Sequence, residues 1–468
     1  MKSVSYTLLW IVAAIISGCA VGPDFTPPKP DIPNEWKNKE QNSSLETLSK
    51  WWEKLNDPVL NALVEKGLNQ NKEIAIAAAH NEIFIAQLGI VQSNFLPQIS
   101  ANGSVSRQKL SSTTSNRSST FNDHTTSYGL NMAMNQFEID FWGKFARAEE
   151  SAKALLLMNE YNHQLIRSSI AANVVVSYNS LLTQHKLLEN GHTNVTLAEQ
   201  IFSISQAKWD QGVGSYQDVL QAGAAVDEAR SIIPSIETKI MALENALSIL
   251  IGEFPKEFEI GKNHTVVSSI EVPAGIPSTL LKRRPDILAA ESSWHAANAS
   301  IGVAKAEYFP SFSLTGVLGF QSADLSKLIQ APSSVWQIAP SVTLPIFTAG
   351  RVENQINVAK AQTKEAQAHY EQTLLIAFSE VENALKERRT LLAEGKALAS
   401  ARKQYMQAEA LHKAEYDNGK TGYLPLLILR QSLLSNENKI VLNEEATRQN
   451  FVTLCKALGG GWEEYQMK

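Results

Sequence analysis

The sequence predicts a mainly α-helical protein with a transmembrane β-barrel portion, and three features of the chain support this fold class. An internal two-fold sequence repeat, with copies of about 200 residues, organises most of the chain. Each copy holds a long stretch without Pro or Gly, residues 146–189 and 351–394, which favours a very long helix. Each copy also holds two segments in which apolar and polar residues alternate, as in a strand with one apolar face.

The composition excludes several classes of protein. The chain has 468 residues, of which 44% are hydrophobic and 19% charged, so it is not a disordered protein. Its 42 basic and 47 acidic residues give a net charge of -5, which argues against nucleic-acid binding through bulk positive charge. Two cysteines are too few for a disulfide framework or a Cys-based zinc site. After the N-terminus no uninterrupted apolar run of about 18 residues occurs, which argues against a helical membrane protein.

The N-terminus is typical of a bacterial lipoprotein. Residues 1–18 predict a lipoprotein signal peptide, because Lys2 precedes an apolar stretch and small residues. The next residue, Cys19, completes a sequence that resembles a lipobox, in which the Cys thiol is acylated and becomes the new N-terminus. An ordinary signal peptide that happens to contain a Cys is the alternative. Residues 19–50 are then a lipidated Pro-rich tether, and Ala20 after the Cys favours the outer membrane.

The repeat divides the rest of the chain. The first copy covers 51–252, a connector covers 253–285, the second copy covers 286–462, and 463–468 form a tail. Predicted strands lie at about 98–106 and 127–140 in the first copy, and at about 311–321 and 335–346 in the second. Long helical hairpins are predicted over 146–211 and 351–416. Their returns are expected at Asn190-Gly191 and Glu394-Gly395, since Gly disfavours helix.

A second pair of glycine motifs matches between the copies. Asp210 and Gly212 in the first copy correspond to Asp417 and Gly419 in the second. Such motifs could be ligand loops, but turns are the better interpretation because Gly breaks a helix. We expect these turns where the helices leave their path to build a mixed equatorial domain.

Four amphipathic strands of about ten residues are long enough to cross an outer membrane when tilted. They cannot do so as an open sheet, because unpaired edge groups in lipid would each cost several kcal/mol. The edges must therefore pair with other copies, which predicts a symmetric oligomer. The long helices would extend from the barrel into the periplasm. This argument leaves the number of copies open.

Several motifs together resemble one family, the TolC-type outer-membrane efflux proteins, in the lipoprotein branch with OprM-like and NodT-like factors. The resemblance covers Cys19 to about Trp462. The motifs that carry it are Cys19 to Phe25, Trp51-Trp52, Asp57 to Leu60, Arg283 to Ile287, Ala290-Glu291, Ile301 to Ala306, Phe309-Pro310, Leu344 to Phe347 and Gly350-Arg351.

The resemblance implies a homotrimer that shares one 12-stranded β-barrel, with four strands per protomer, and one α-helical barrel of long helices in the periplasm. It implies the exit duct of a tripartite efflux pump, which passes drugs or other toxic small molecules outward. The implied partners are a periplasmic adaptor, an inner-membrane RND-type transporter and outer-membrane lipid. No cofactor is expected beyond the covalent lipid on Cys19.

A duct needs a closed periplasmic tip that can open, and the two predicted helix returns are the candidates for it. Hydrogen bonds and ion pairs there could hold the helices closed, and adaptor contacts could shift the population to the open state. Ordinary solvated charges are the competing interpretation. The candidate tip residues are Glu189, Gly191, His192, Glu394, Gly395, Lys396 and Arg402.

Three alternatives remain at this stage. The same fold could be the outer-membrane exit channel of a type I protein-secretion system, although the lipobox and tether favour the efflux branch. A lipid-anchored coiled-coil structural protein would not need the alternating strands. An enzyme has little support, because the nine His residues are scattered and no hydrolase or nucleotide-binding motif occurs. No catalytic or metal-binding residue is therefore predicted.

Overall fold

The computed structural model describes residues 20–27, 31–33, 35–37, 50–109, 111, 124–258 and 280–462. The predicted signal peptide, Cys19, much of the tether and connector, and the tail 463–468 lie outside these residues. The chain divides into two compact units. Unit 1 lies within 1–29, 80–160 and 289–371, and unit 2 within 30–79, 161–288 and 372–468.

The elements follow the predicted order of helix, two strands and long helices in both copies. In the first copy they are α1 (Pro58–Gln70), α2 (Lys72–Gln92), β1 (Ile99–Lys109), β2 (His124–Ile139), α3 (Lys144–Asp210) and α4 (Tyr216–Leu250). In the second they are α5 (Leu280–Arg283), α6 (Pro285–Ala306), β3 (Ser311–Ser322), β4 (Ser334–Thr343), α7 (Arg351–Asp417) and α8 (Tyr423–Ala457). Among the described helices, the stretch Pro58–Phe95 is long and apolar enough to cross a membrane by length and composition, a test that core helices also pass.

Unit 1 contains an antiparallel sheet built from all four predicted strands, in the order β1-β2-β3-β4. Ile99 of β1 pairs with Met134 of β2, and Ser311 of β3 pairs with Thr343 of β4. The strand predictions are confirmed to within a few residues at each end. A register shift interrupts the β2–β3 pairing between Met134 and Phe137, where Gln136 has φ 28. This bulge increases the local bend of β2.

Within one chain, the outer strands β1 and β4 each have one edge that pairs with no other strand of the sheet. Both strands also carry exposed apolar side chains. Val105 on β1 is 71% exposed and Trp336 on β4 is 76% exposed. Ile338 and Val342 are exposed on β4 as well. An exposed apolar strand edge is a template for pairing with another strand, so one copy of the chain does not complete this sheet.

Unit 2 contains a helical core in which helices of the first and second sequence repeats pack together. Tyr178 of α3 and Phe451 of α8 are fully buried, and Trp51 lies 5.9 Å from Phe451 in an edge-on ring contact. The side chain of Asp57 caps α1 by accepting from Val59 N at 2.9 Å, and it also accepts from the Tyr178 hydroxyl at 3.1 Å. This cap joins the start of α1 to the core.

The predicted helix returns at Asn190-Gly191 and Glu394-Gly395 are wrong. α3 runs unbroken from Lys144 to Asp210, and α7 from Arg351 to Asp417. A Gly inside a helix costs only about 1 kcal/mol relative to Ala, and at both glycines the end of a neighbouring side chain lies where a Cβ would stand. A Cβ on Gly191 would lie 2.9 Å from Ile233 Cδ1, and one on Gly395 would lie 2.8 Å from Asn443 Oδ1. These glycines therefore let neighbouring helices approach closely.

Candidate functional site at the helix turns

Each pair of long helices is joined by one short turn in unit 2, at the second glycine motif of each copy. The turn after α3 begins at Asp210, and Gly212 has φ 71. Its N–H donates to Trp209 O at 2.8 Å, and Val213 N–H donates to Lys208 O at 2.9 Å. Gly is favoured at a left-handed position just after a helix, because Gly has no Cβ that would clash with the backbone.

The turn after α7 repeats this geometry. Gly419 has φ 68. Its N–H donates to Tyr416 O at 2.9 Å, and Lys420 N–H donates to Glu415 O at 2.8 Å. Asp210, Gly212, Asp417 and Gly419 are thus confirmed as turn residues, but placing them at the entrance to an equatorial domain is wrong. The turns connect long helices directly and are the true hairpin returns.

An aromatic pair closes each hairpin just behind its turn. The rings of Trp209 and Tyr216 lie 5.4 Å apart, and those of Tyr416 and Tyr423 lie 4.9 Å apart. The two turns differ in surface chemistry, since Val213 is 73% exposed in the first and Lys420 is exposed at the matching place in the second. The end of the hairpins therefore presents both an apolar and a basic contact point.

The predicted tip residues lie along helix interiors instead. Glu189 pairs with Lys186 at 2.7 Å, and His192 is exposed on α3. Glu394 accepts from Asn443 Nδ2 at 3.3 Å. Arg402 pairs with Glu437 at 3.4 Å. Lys396 and Gly395 line a groove of about 400 Å³ between α7 and α8, together with Leu391, Leu392, Ile440 and Arg448. These contacts tie helix to helix, but they do not gather at one end.

The two hairpins are joined by an apolar seam between α3 and α8. Leu197 of α3 is buried against Leu427 and Leu434 of α8, and Ile201, Ile204 and Tyr423 pack around them. Asn190, Leu197 and Ile204 recur at heptad spacing on α3, and so do the two leucines on α8. Heptad spacing keeps one face of a helix on its partner, as in a coiled coil.

One polar pair lies in this seam. Asn190 is buried, and its Nδ2 donates to Asn438 Oδ1 at 2.8 Å. A buried Asn in an apolar heptad seam sets the register of the helices at a cost in stability. Sequence reasoning placed Asn190 at a turn and did not identify its partner. The heptad spacing of Asn190 with Leu197 was the available signal.

We predict that Asn438→Leu lowers the free energy of unfolding by about 1–3 kcal/mol, because it leaves the buried amide of Asn190 without its partner. Asn190→Leu should cost less, since Asn438 is only half-buried and its amide can reach water. The double variant should be as stable as the wild-type protein or more so, because apolar side chains replace both amides. Thermal unfolding of the four proteins measures this. If the loss of stability in the double variant equals the sum of the two single losses, the pairing of Asn190 with Asn438 is contradicted.

Hairpin 2, formed by α7 and α8, is held near its turn by charged groups. Arg430 donates to Glu409 Oε1 at 2.8 Å and to the Tyr423 hydroxyl at 3.3 Å, and the bond to Glu409 raises the pKa of Arg430 although burial opposes this. Among the described residues 389–417 of α7, none is buried. This half of α7 is therefore the most open part of the hairpin.

His185 on α3 behaves differently from these charged groups. Burial lowers the pKa of His185, and nearby Glu244 offsets this only in part. Its Nε2 has no hydrogen-bond partner among the described residues. A histidine with a lowered pKa is neutral at pH 7, so His185 does not add a cation to the hairpin.

Comparison with known proteins identifies relatives along nearly the whole chain. The family model described as outer membrane efflux protein matches residues 63–253 and 276–460. The probable efflux pump outer membrane protein TtgC of Pseudomonas putida is 30% identical, with 97% of this chain and 95% of that protein covered. The cation efflux system protein CusC of Escherichia coli is 29% identical, with 98% and 99% covered.

Solved structures agree with this result. The Campylobacter jejuni CmeC outer membrane channel superposes with a TM-score of 0.86 at 28% identity, covering 96% of both chains. The open state of the Neisseria gonorrhoeae MtrE outer membrane channel superposes with a TM-score of 0.81 at 28% identity, covering 96% of this chain and 100% of that one. The similarity therefore includes both the sheet and the long helices.

Proposed function

This chain belongs to the outer membrane efflux protein family, and from that premise we propose that three copies of it form one lipid-anchored channel in the outer membrane. The chain is the outer-membrane exit channel of a tripartite efflux pump, as its relatives are outer-membrane components of efflux pumps. The observation that carries the proposed assembly is the sheet with its two free edges.

Closure of the sheet by copies of the same chain follows from the cost of free edges. β1 and β4 are the outer strands of the sheet, and both expose apolar side chains. In lipid, each unpaired N–H or C=O would cost several kcal/mol. Pairing β4 of one protomer with β1 of the next satisfies both edges, and cyclic symmetry ends the series. Three copies would contribute twelve strands, wide enough for a lumen.

The partners follow from the family and from what the chain exposes. The relatives are named as outer-membrane parts of efflux pumps, and for a member of the OprM-like branch the energy would come from an inner-membrane RND-type transporter. A periplasmic adaptor would contact the helix turns, where the side chains of Val213 and Lys420 are exposed to solvent. Contacts there could shift the hairpins between closed and open states.

The exported material is proposed to be drugs or other toxic small molecules. The names of the relatives describe efflux of antibiotics, toluene and cations. Relatives of one fold thus serve pumps for different solutes, so selectivity would lie mainly upstream of the duct. The same names favour a pump over a type I secretion system. No enzyme activity is proposed, since the family consists of outer-membrane channel proteins.

Planar-bilayer conductance of the purified protein, with its oligomeric mass measured in parallel, tests this function. We expect a trimer that gives discrete ionic steps. Protein dissociated to monomers by heating is the control and should give no steps. A native monomer without conductance in any membrane preparation would overturn the proposal, because it would mean that the sheet does not close.

A further inference from the structure

The groove between α7 and α8 in unit 2 has the size and the lining of a ligand site. Its volume is about 400 Å³, and its apolar walls are Leu391 and Leu392 of α7 and Ile440 of α8, all half-buried. Asn443 ties the two helices together there, because its Nδ2 donates to the Leu391 carbonyl at 3.2 Å. Sites for small organic ligands typically enclose about 300–1,000 Å³, with mostly apolar walls and a few polar groups. The groove meets this description.

Arg448 of α8 brings a poorly compensated positive charge to this groove. Its side chain is only 11% exposed, and its bond to Glu444 Oε2 is long, at 3.4 Å. The other nearby acid, Glu445, already accepts from Ser180 Oγ at 2.5 Å and from Gln449 Nε2 at 3.0 Å. Burial lowers the pKa of Arg448, although Glu444 and Glu445 oppose this. The guanidinium is therefore largely shielded from water without a full set of acceptors among the described residues.

Two other buried arginines show what full compensation looks like. Arg147 of α3 donates to Asp24 at 2.6 Å and to Glu150 at 2.7 Å, and Arg284 likewise bonds to two carboxylates. Burial opposes the charge of both arginines, but the carboxylates raise the pKa of each. A buried charge is costly unless it is well paired. Arg448 has one distant carboxylate, so an anion in the groove would supply the second partner, to which a guanidinium can bond with two parallel N–H groups.

The wider lining of the groove also favours an anion. A neighbouring pocket of about 500 Å³ shares Ala399, Ile440 and Glu444 with the groove, so the two are continuous. Among the described residues that line them, Glu444 is the one carboxylate. The cationic side chains that line them are Lys396, Arg402, Lys403 and Arg448. The whole chain has a net charge of -5, so this positive charge is local and attracts ligands of the opposite sign.

We propose that this groove binds a soluble amphipathic organic anion, with a carboxylate, sulfonate or phosphate head on Arg448 and an apolar body between Leu392 and Ile440. The volume is that of a small-molecule site, and the charge selects the sign of the ligand. Such a ligand touches both helices of hairpin 2, so its binding stabilises their contact. The site is additional to the proposed channel role and does not depend on it.

Fluorescence titration of the full-length protein in nonionic detergent tests the site, with anilinonaphthalene sulfonate as the amphipathic anion. Arg448→Gln should weaken binding about tenfold, because the charge-assisted bonds to the sulfonate are lost. Glu444→Gln should tighten binding, because it removes the carboxylate that competes for Arg448. The matched control is Lys439→Gln, which removes an exposed cation of α8 that does not line the groove and should leave the affinity unchanged. Thermal unfolding verifies that each variant is folded.

Two further ligands separate the head from the body of the anion. Inorganic sulfate at the same concentration should not displace the probe, and the uncharged phenylnaphthylamine should bind equally to the wild-type protein and to Arg448→Gln. Equal affinity of the sulfonate for the wild-type protein, Arg448→Gln and Glu444→Gln would overturn the proposal, and so would displacement by sulfate alone. Binding only after heat dissociation would mean that a second copy of the chain covers the groove, which would also overturn it. None of these results depends on conductance.

Discussion

Replacing Gly212 and Gly419 together by valine is expected to abolish most efflux while leaving the protein level and the assembly unchanged. Both residues have positive φ, 71 and 68. A β-branched residue in this left-handed region is strained by roughly 1–3 kcal/mol per site. No heavy atom lies within 4 Å of a Cβ placed on either glycine. The effect would therefore come from backbone conformation alone.

Strain at the turns should relax by opening the bonds that close them, from Val213 N–H to Lys208 O and from Lys420 N–H to Glu415 O. The exposed side chains of Val213 and Lys420 would then no longer be held in their present positions. Dye accumulation in host cells that lack their own copy of the channel measures the loss. The substitutions lie far along the chain from the sheet residues, so the purified variant should still conduct in a bilayer.

The matched control replaces both glycines by asparagine, which tolerates the left-handed conformation better than other side chains. Gly212→Asn with Gly419→Asn should retain most of the efflux. If the valine variant pumps dye as well as the wild-type protein at the same abundance, the turns are not the site at which the hairpins act. If both variants fail equally, side-chain bulk rather than φ governs the turns.

Arg284→Met is expected to give the largest loss of stability. Arg284 is only 7% exposed. Its guanidinium donates to both carboxylate oxygens of Asp286, at 3.0 and 2.6 Å, to Glu380 at 2.7 Å and to the Ala457 carbonyl at 3.0 Å. It thus joins the link between the end of α5 and the start of α6 to α7 and to the end of α8.

Removing Arg284 would leave two carboxylates and a carbonyl without their donor. Breaking a buried ion pair costs about 3–5 kcal/mol, and because Glu380 is half exposed we expect the lower end of this range. Thermal unfolding should show a clear fall in the midpoint. Lys282→Met, which removes an exposed cation two residues away, should change it little. Equal midpoints for the two variants would contradict this role of Arg284.

The sequence interpretation took Arg283 to Ile287 as a family motif, and in the structure this motif spans the start of α6 at Pro285. It could not find Glu380 or Ala457 as partners of Arg284, because both are distant in the chain. The strands show the opposite case. The alternation of apolar and polar residues that predicts each strand is found in consecutive residues. The structure places all four strands within a few residues of the predicted bounds.

The glycines show most clearly where local reasoning ends. Gly191, Gly395, Gly212 and Gly419 all interrupt helical sequence, and a propensity scale treats them alike. The first pair remains in helix at a cost of only about 1 kcal/mol each, and a neighbouring side chain lies close to each of them. The second pair turns the chain with positive φ. A better sequence signal existed, since Asp-x-Gly stands at matching places in both copies, with Trp209 and Tyr416 just before it.

By itself, the sequence determined the repeat, the four strands, the helical class and the family, because these depend on period, composition and motif within short windows. Tertiary structure decided where the hairpins turn, which Asn pair lies in the seam, and which groups surround Arg284. Each of these depends on side chains that are far apart in the chain and meet only when the helices pack. Close approach, burial and the pairing of charge are properties of that packing, and no window of consecutive residues contains them.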